Sequence, residues 1–205
     1  MPEDSTPSGT SPVVALERAG FPGTIHVVST VDELSAAYEG LSQKPVLGFD
    51  TETRPRFVKG QADRSVAIVQ FATADEAWII RTSILQLPEP LCALFASERI
   101  VKVGLAVHED LRRLRHFHPL EVANVVDLQR LAKAAGYTEL GLKALTAKIL
   151  GLGLSKAARL SNWEAENLSE PQQRYAATDA WICREMYKKL MSSEKINIEE
   201  SVTIE

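Results

Sequence analysis

The sequence predicts an α/β fold, a mixed sheet with helices on both faces, and three observations carry that expectation. The run Val46-Leu47-Gly48-Phe49 is apolar throughout, as a buried central strand must be. Two more β-rich runs, residues 65–71 and 78–80, are separated by Ala74-Asp75-Glu76, which suggests an antiparallel meander of three strands. After residue 80, short strand-like runs alternate with helical ones, and that alternation favours parallel strands added beside the meander.

Residues 1–22 are rich in Ser, Thr, Pro and Gly and poor in large apolar groups, so a tail that cannot offset its own ordering entropy is expected there. Ile25-His26-Val27-Val28 is strand-like. Thr30, with Glu33 three residues on, forms a capping-box signature, and Val31, Leu34, Tyr38 and Leu41 then share one helical stripe. Pro88-Glu89-Pro90 opens a helix carrying Leu91, Leu94 and Phe95. Ile100-Val101-Lys102-Val103 is a short strand ended by Gly104, and a helix starts near His108. Val125-Val126-Asp127 is another short strand, leading into a helix with Leu128, Leu131 and Ala135. Leu142, Leu145 and Ile149 mark one more helix, closed by Gly151 and Gly153 and followed by a loop with Lys156 and Arg159. Ser169-Glu170-Pro171-Gln172 combines a cap, an early proline and a capping-box glutamine, and the helix it opens runs to about Leu190. Residues 23–191 thus read as one domain and 192–205 as a polar C-terminal tail.

A net charge of −4 and a pI near 5.7 exclude a protein that coats nucleic acid by bulk electrostatics; any such binding must use a local basic strip. Cys92 and Cys183 are the only cysteines and fall in separate helical segments, which points to reduced thiols, a reducing compartment and a cytoplasmic location. A zinc site of the Cys/His kind lacks its ligands. No apolar run approaches the length of a membrane span, and Glu3 and Asp4 stand where an export signal would be basic.

The strand beginning at Val46 ends in Asp50-Thr51-Glu52. Alternation puts Asp50 and Glu52 on one face about 6–7 Å apart, at the carboxyl end of a central strand, where α/β proteins place their ligands. Taken alone, an acid-x-acid pair equally describes a solvated strand end. The last helix changes the balance, because its stripe of Tyr175, Asp179, Ile182, Cys183, Met186 and Leu190 sets a carboxylate on the core-facing side with no basic residue beside it. An unpaired buried carboxylate needs a partner, a shifted pKa or a metal. Oxygen-only sites of Asp and Glu select hard divalent ions, Mg²⁺ or Mn²⁺. Asp110, at the start of a helix following a short strand, is the natural fourth acid. Tyr175 stands one turn before Asp179 on the same face, where its phenol could hold a water beside the metals.

That combination resembles the 3′-to-5′ exonuclease superfamily named for four acids, Asp-Glu-Asp-Asp, and within it the tyrosine branch of ribonuclease D and the Werner syndrome helicase exonuclease domain. The first motif stands as Phe49-Asp50-Thr51-Glu52-Thr53, the second as Gly104 through His108-Glu109-Asp110-Leu111, and the third as Tyr175-Ala176-Ala177-Thr178-Asp179-Ala180. Asp127-Leu128-Gln129, Ser161-Asn162-Trp163 and Leu168-Ser169 resemble intervening family elements, so the likeness runs from about Ile25 to Leu190. The sister branch places a histidine five residues before the last aspartate; here that position is Arg174. Glu109 beside Asp110 leaves open which acid faces the metals, and Glu166-Asn167 stand where relatives commonly carry Arg-Pro.

The resemblance implies an RNase H-like mixed five-stranded sheet flanked by helices, and two-metal hydrolysis of the terminal phosphodiester of DNA or RNA to nucleoside 5′-monophosphates. In that scheme Asp50 bridges both ions, Glu52 and Asp179 complete one, Asp110 holds the other largely through water, and Tyr175 orients the attacking water. Arg54, Arg56, Lys59, Lys156 and Arg159 flank the first and third motifs and are the expected phosphate contacts. Because the sequence stops soon after the last motif, the Werner-type domain is expected to be the nearer comparison. Two alternatives stand beside this reading: a nucleic-acid-binding scaffold that kept the fold and lost the chemistry, and an RNase H-like endonuclease.

Overall fold

The computed structural model describes residues 15–53, 66–155 and 160–193. Six strands, β1 (Thr24–Val28), β2 (Val46–Thr53), β3 (Val66–Ala72), β4 (Glu76–Ile80), β5 (Val101–Gly104) and β6 (Val125–Asp127), form one sheet in the order β1-β4-β3-β2-β5-β6. The pairs β2–β3 and β3–β4 are antiparallel, which is the expected meander, and β5 and β6 add in parallel on the β2 side. β1 adds in parallel beside β4, so the sheet has six strands where the resemblance implies five.

The helices are α1 (Val31–Leu41), α2 (Thr82–Leu85), α3 (Glu89–Ala96), α4 (Val107–Phe117), α5 (Leu128–Ala134), α6 (Leu142–Leu145), which continues in π-type turns over Thr146–Leu150, and α7 (Glu170–Met191). Their starts follow local chemistry. Thr30 Oγ1 accepts the Glu33 N–H at 3.2 Å while Glu33 Oε2 accepts the Thr30 N–H at 3.0 Å, a reciprocal cap for α1. At α7, Gln172 Oε1 accepts the Ser169 N–H at 3.0 Å and Pro171 sits in the first turn, where its missing donor costs nothing. Of the described helices, none is long and apolar enough to cross a membrane.

Alternation along β2 divides the molecule into two layers. Phe49 points to one face and stacks with Phe71 and Phe95, ring centroids 5.7 and 5.4 Å away, in the core that α1, α3 and α4 cover. Gly48 and Asp50 point to the other face, under α7. A Cβ at Gly48 would lie 1.9 Å from the Ala180 carbonyl oxygen, so only glycine lets α7 lie this close to β2. Gly104 serves the opposite layer: its Cβ would meet Val107 Cγ1 at 2.4 Å, at the very start of α4.

Residues 15–22, expected to belong to an N-terminal tail, are attached to the domain. Ala19 N–H donates to the Gly153 carbonyl at 2.8 Å, Gly153 N–H to the Glu17 carbonyl at 2.7 Å, and Phe21 is buried against Trp181. One aromatic side chain with a place in the core orders its neighbours, which a composition average over the segment conceals. Residues 1–14 and 194–205 lie outside the described residues.

Candidate active site

Three elements meet at the carboxyl end of β2. Asp50 and Glu52 project from the strand toward α7, and Gly48 lets Asp179 of that helix descend onto them. One oxygen from each of Asp50, Glu52 and Asp179 lies within 4.8 Å of the others. Three carboxylates this close repel strongly unless protonated or bridged by a cation.

The titration of the site reflects that crowding. Burial, then the neighbouring charges of Asp110, Asp179 and Glu52, push Asp50 well above the usual carboxylate range. Burial lifts Asp179 to about 7, against the lowering effect of the Tyr175 phenol that donates to it. Asp179 Oδ1 is buried without a hydrogen-bond partner among the described residues. An orphaned buried carboxylate oxygen facing two more carboxylates in an all-oxygen donor set fits a hard divalent cation.

Asp110 comes from the opposite layer. α4 follows Ala106, which takes a left-handed conformation at φ 55° and donates its N–H to Asp127 Oδ1 at 3.0 Å. This turn aims the first turn of α4 at the end of β2, where Thr51 Oγ1 donates to Asp110 Oδ1 at 2.6 Å. Burial raises Asp110 to about 6, opposed by the Thr51 hydrogen bond and the Arg113 charge. Glu109 turns away: its carboxylate pairs with Arg112 at 2.7 Å and Arg113 at 3.1 Å, and these arginines hold it at about 2. The structure therefore selects Asp110 over Glu109 as the acid that faces Asp50.

Tyr175 lies on α7 one turn before Asp179, half-buried, with its ring centroid 6.0 Å from that of Trp163. Burial, then the Asp179 and Glu52 charges, raise its phenol, so it stays a proton donor throughout the neutral range. Trp163 is fully buried in a loop held from two sides: the Arg81 guanidinium donates to the carbonyls of Ala165 and Glu166, and Gln172 Nε2 to that of Asn162. Glu166, one of the two positions that depart from the family pattern, contributes here through its backbone.

A family model for a 3′–5′ exonuclease matches residues 25–194. The chain belongs to the 3′–5′ exonuclease family. A ribonuclease D of Gluconacetobacter diazotrophicus is 32% identical over 177 residues, covering 85% of this chain and 44% of its own length. The mouse bifunctional 3′–5′ exonuclease/ATP-dependent helicase WRN is 29% identical over 180 residues, covering 83% of this chain and 13% of its own. Among solved structures, Escherichia coli RNase D superposes with a TM-score of 0.70 at 26% identity, over 82% of this chain and 44% of that one. The chain thus spans less than half the length of these relatives. Ribonuclease D and the Werner-type domain are both relatives of this exonuclease domain, within the tyrosine branch that Tyr175 marks, but the ribonuclease D is the more similar of the two, 32% against 29% identical, contrary to the expectation that the Werner-type domain is nearer.

Within this 3′–5′ exonuclease domain the structure brings Asp50, Glu52, Asp179 and Tyr175 together and sets Asp110 at their edge. Arg54, Arg56, Lys59, Lys156 and Arg159, the expected phosphate contacts, lie outside the described residues. Sequence reasoning missed Thr51 and Arg81. Thr51 had a readable signal, a hydroxyl between two acids on the opposite strand face, whereas Arg81 is an isolated cation after a strand with nothing local to mark it.

Proposed function

We propose that this chain is a divalent-metal-dependent 3′-to-5′ exonuclease that hydrolyses the terminal phosphodiester of a DNA or RNA strand, releasing nucleoside 5′-monophosphates. The observation that carries the proposal is the trio of Asp50, Glu52 and Asp179 oxygens within 4.8 Å, joined by the Tyr175 phenol. Asp50, Glu52 and Asp179 would hold one divalent ion, and Asp50 with Asp110 a second. Mg²⁺ or Mn²⁺ suits this donor set, and such ions supply Lewis-acid stabilisation of charge on the attacking and departing oxygens.

The chain's own groups do the rest. Tyr175, kept protonated, donates to Asp179 and can accept at Oη from a water placed at the reacting phosphorus, so that it orients that water, and the packed Trp163 ring restricts the phenol's movement. Asp50 is held between the two layers, so its position is set by the packing of Gly48 beneath α7 and Gly104 beneath α4. Arg54, Arg56, Lys59, Lys156 and Arg159 supply the local positive charge that an acidic protein needs to recruit a polyanion, and their joint replacement by alanine should weaken binding and flatten its salt dependence.

The deciding experiment digests 3′-labelled single-stranded DNA, recessed duplex DNA, RNA and a circular single strand, with Mg²⁺, Mn²⁺ or chelator. Release of 5′-mononucleotides from linear strands only, in metal only, is expected. Cleavage of the circle would make the chain an endonuclease, and binding without cleavage would make it a scaffold.

A further inference from the structure

The segment expected to be a tail builds one wall of a cleft that opens onto the acidic cluster. This cleft, about 480 Å³, runs from Asp179 and Tyr175 along the first turns of α7 to Arg18 and Gly20. Its volume falls in the range of roughly 300–1,000 Å³ typical of small-ligand pockets, enough for a nucleotide unit of a single strand. The segment is attached at two points. Its backbone exchanges hydrogen bonds with Gly153 at 2.7 and 2.8 Å, and the Phe21 N–H donates at 3.0 Å to Oγ1 of Thr178, the residue next to Asp179.

The charges lining the cleft are unequal. Glu170 is paired with Arg174 at 2.9 Å on successive turns of α7, so these two largely cancel. Arg18 is exposed, and its Nη2 donates to the neutral Ser155 Oγ at 2.5 Å. A guanidinium held by a hydroxyl has further N–H donors to offer an anion, and its planar fork suits a phosphate.

We propose that this cleft binds the nucleotides adjoining the scissile 3′-terminal linkage, with Arg18 donating to a backbone phosphate, so that the N-terminal segment is part of the substrate site. The proposal rests on the exonuclease reading for the identity of the ligand. It makes Arg18 a binding residue remote from the reacting atoms, acting on strand affinity and not on turnover.

The test measures two things on the full chain. Binding of 5′-fluorescein-labelled single-stranded DNA and RNA is followed by anisotropy in Ca²⁺ across a salt series, and hydrolysis is followed in Mn²⁺. For Arg18→Ala, Kd and KM should rise about 10-fold, as for loss of one charge-assisted contact. The salt slope should fall by about 0.7, the value for one phosphate contact on a single strand. The kcat and melting temperature should stay at the wild-type level. Arg18→Glu should weaken binding further, and Arg99→Ala, at the opposite end of the sheet, should change nothing. If Arg18→Ala leaves Kd, KM and salt slope unchanged in a protein that degrades strands, the inference fails and the exonuclease reading stands. A wild-type chain that binds and loses affinity with Arg18→Ala but never hydrolyses supports the cleft and sinks the activity. A wild-type chain that neither binds nor cleaves overturns both.

Discussion

Asp179 and Asp110 are the same residue type on helices that approach β2 from opposite layers, and the structure treats them differently. Asp179 sits on a long helix pressed against the strand through Gly48, with Oδ1 buried and without a partner among the described residues. Asp110 sits in the first turn of a shorter helix, and its Oδ1 already accepts from Thr51. Burial lifts both, Asp179 to about 7 and Asp110 to about 6, and Asp110 has the additional attraction of Arg113. The difference teaches that the α7 side leaves a buried carboxylate to be satisfied from outside the protein, as the proposed cation would do, whereas the α4 side is partly satisfied by the protein itself.

The sharpest test replaces each acid in turn. Asp179→Asn and Asp110→Asn should each reduce nuclease rate by about 10²- to 10⁴-fold, since each removes a charge from the proposed metal site. In chelator their melting temperatures should diverge. Asp179→Asn removes a buried, repelled carboxylate and should raise the melting temperature, while Asp110→Asn also weakens a good Thr51 hydrogen bond and should gain less or nothing. Equal stability shifts would erase the distinction between the two sides.

Tyr175→Phe comes next. The ring keeps its packing on Trp163, so stability should move by no more than about 1 kcal/mol, the net value of one hydrogen bond. Turnover should fall about 10- to 1,000-fold, because the loss is one of positioning in the transition state. Full turnover combined with a large drop in melting temperature would leave Tyr175 a core residue only.

The pH dependence of stability probes both acids together. Each has a folded pKa above its ordinary value of 3.8, so between the two values the folded state binds more protons than the unfolded state. Stability then falls as pH rises through that interval. Without metal, the melting temperature should decline from about pH 5 to pH 8, and a divalent ion should flatten the decline. Below about pH 4.5 the trend should reverse, because Glu33, Glu109 and Glu139 are held below the usual range by their partners and lose those contacts on protonation. A metal-free melting temperature that is flat or rises from pH 5 to 8 would contradict the buried, repelling arrangement.

The smallest effect is expected for Thr51→Val, which keeps the shape of the side chain and deletes the donor to Asp110. Asp110 should then titrate above its present value of about 6, moving the acid limb of the pH–rate profile upward with less than about a 10-fold loss at pH 8. An unshifted profile would mean that the Thr51 contact does not tune Asp110.

The sequence by itself determined most of the elements, though not the short α2, and singled out the candidate acids, because both are local. Period-two and period-3.6 apolar patterns, the Thr30 and Ser169 caps and the acid-x-acid spacing are set by backbone geometry within a few residues, and all reappear in the structure. The six strand-like runs were likewise legible, although their pairing into a single sheet with β1 at one edge depends on contacts across the chain. Only the tertiary structure decided between Glu109 and Asp110, since adjacent residues on a helix share every local signal and differ in what stands opposite them: two arginines for one, Thr51 and Asp50 for the other. It also decided that Phe21 belongs to the core and carries Arg18 to the cleft, against the composition of its own segment. Local pattern dictates which face a side chain takes; which atoms it meets there is set by packing between segments far apart in sequence, and the close approach of both helices to β2 is permitted only where Gly48 and Gly104 leave room.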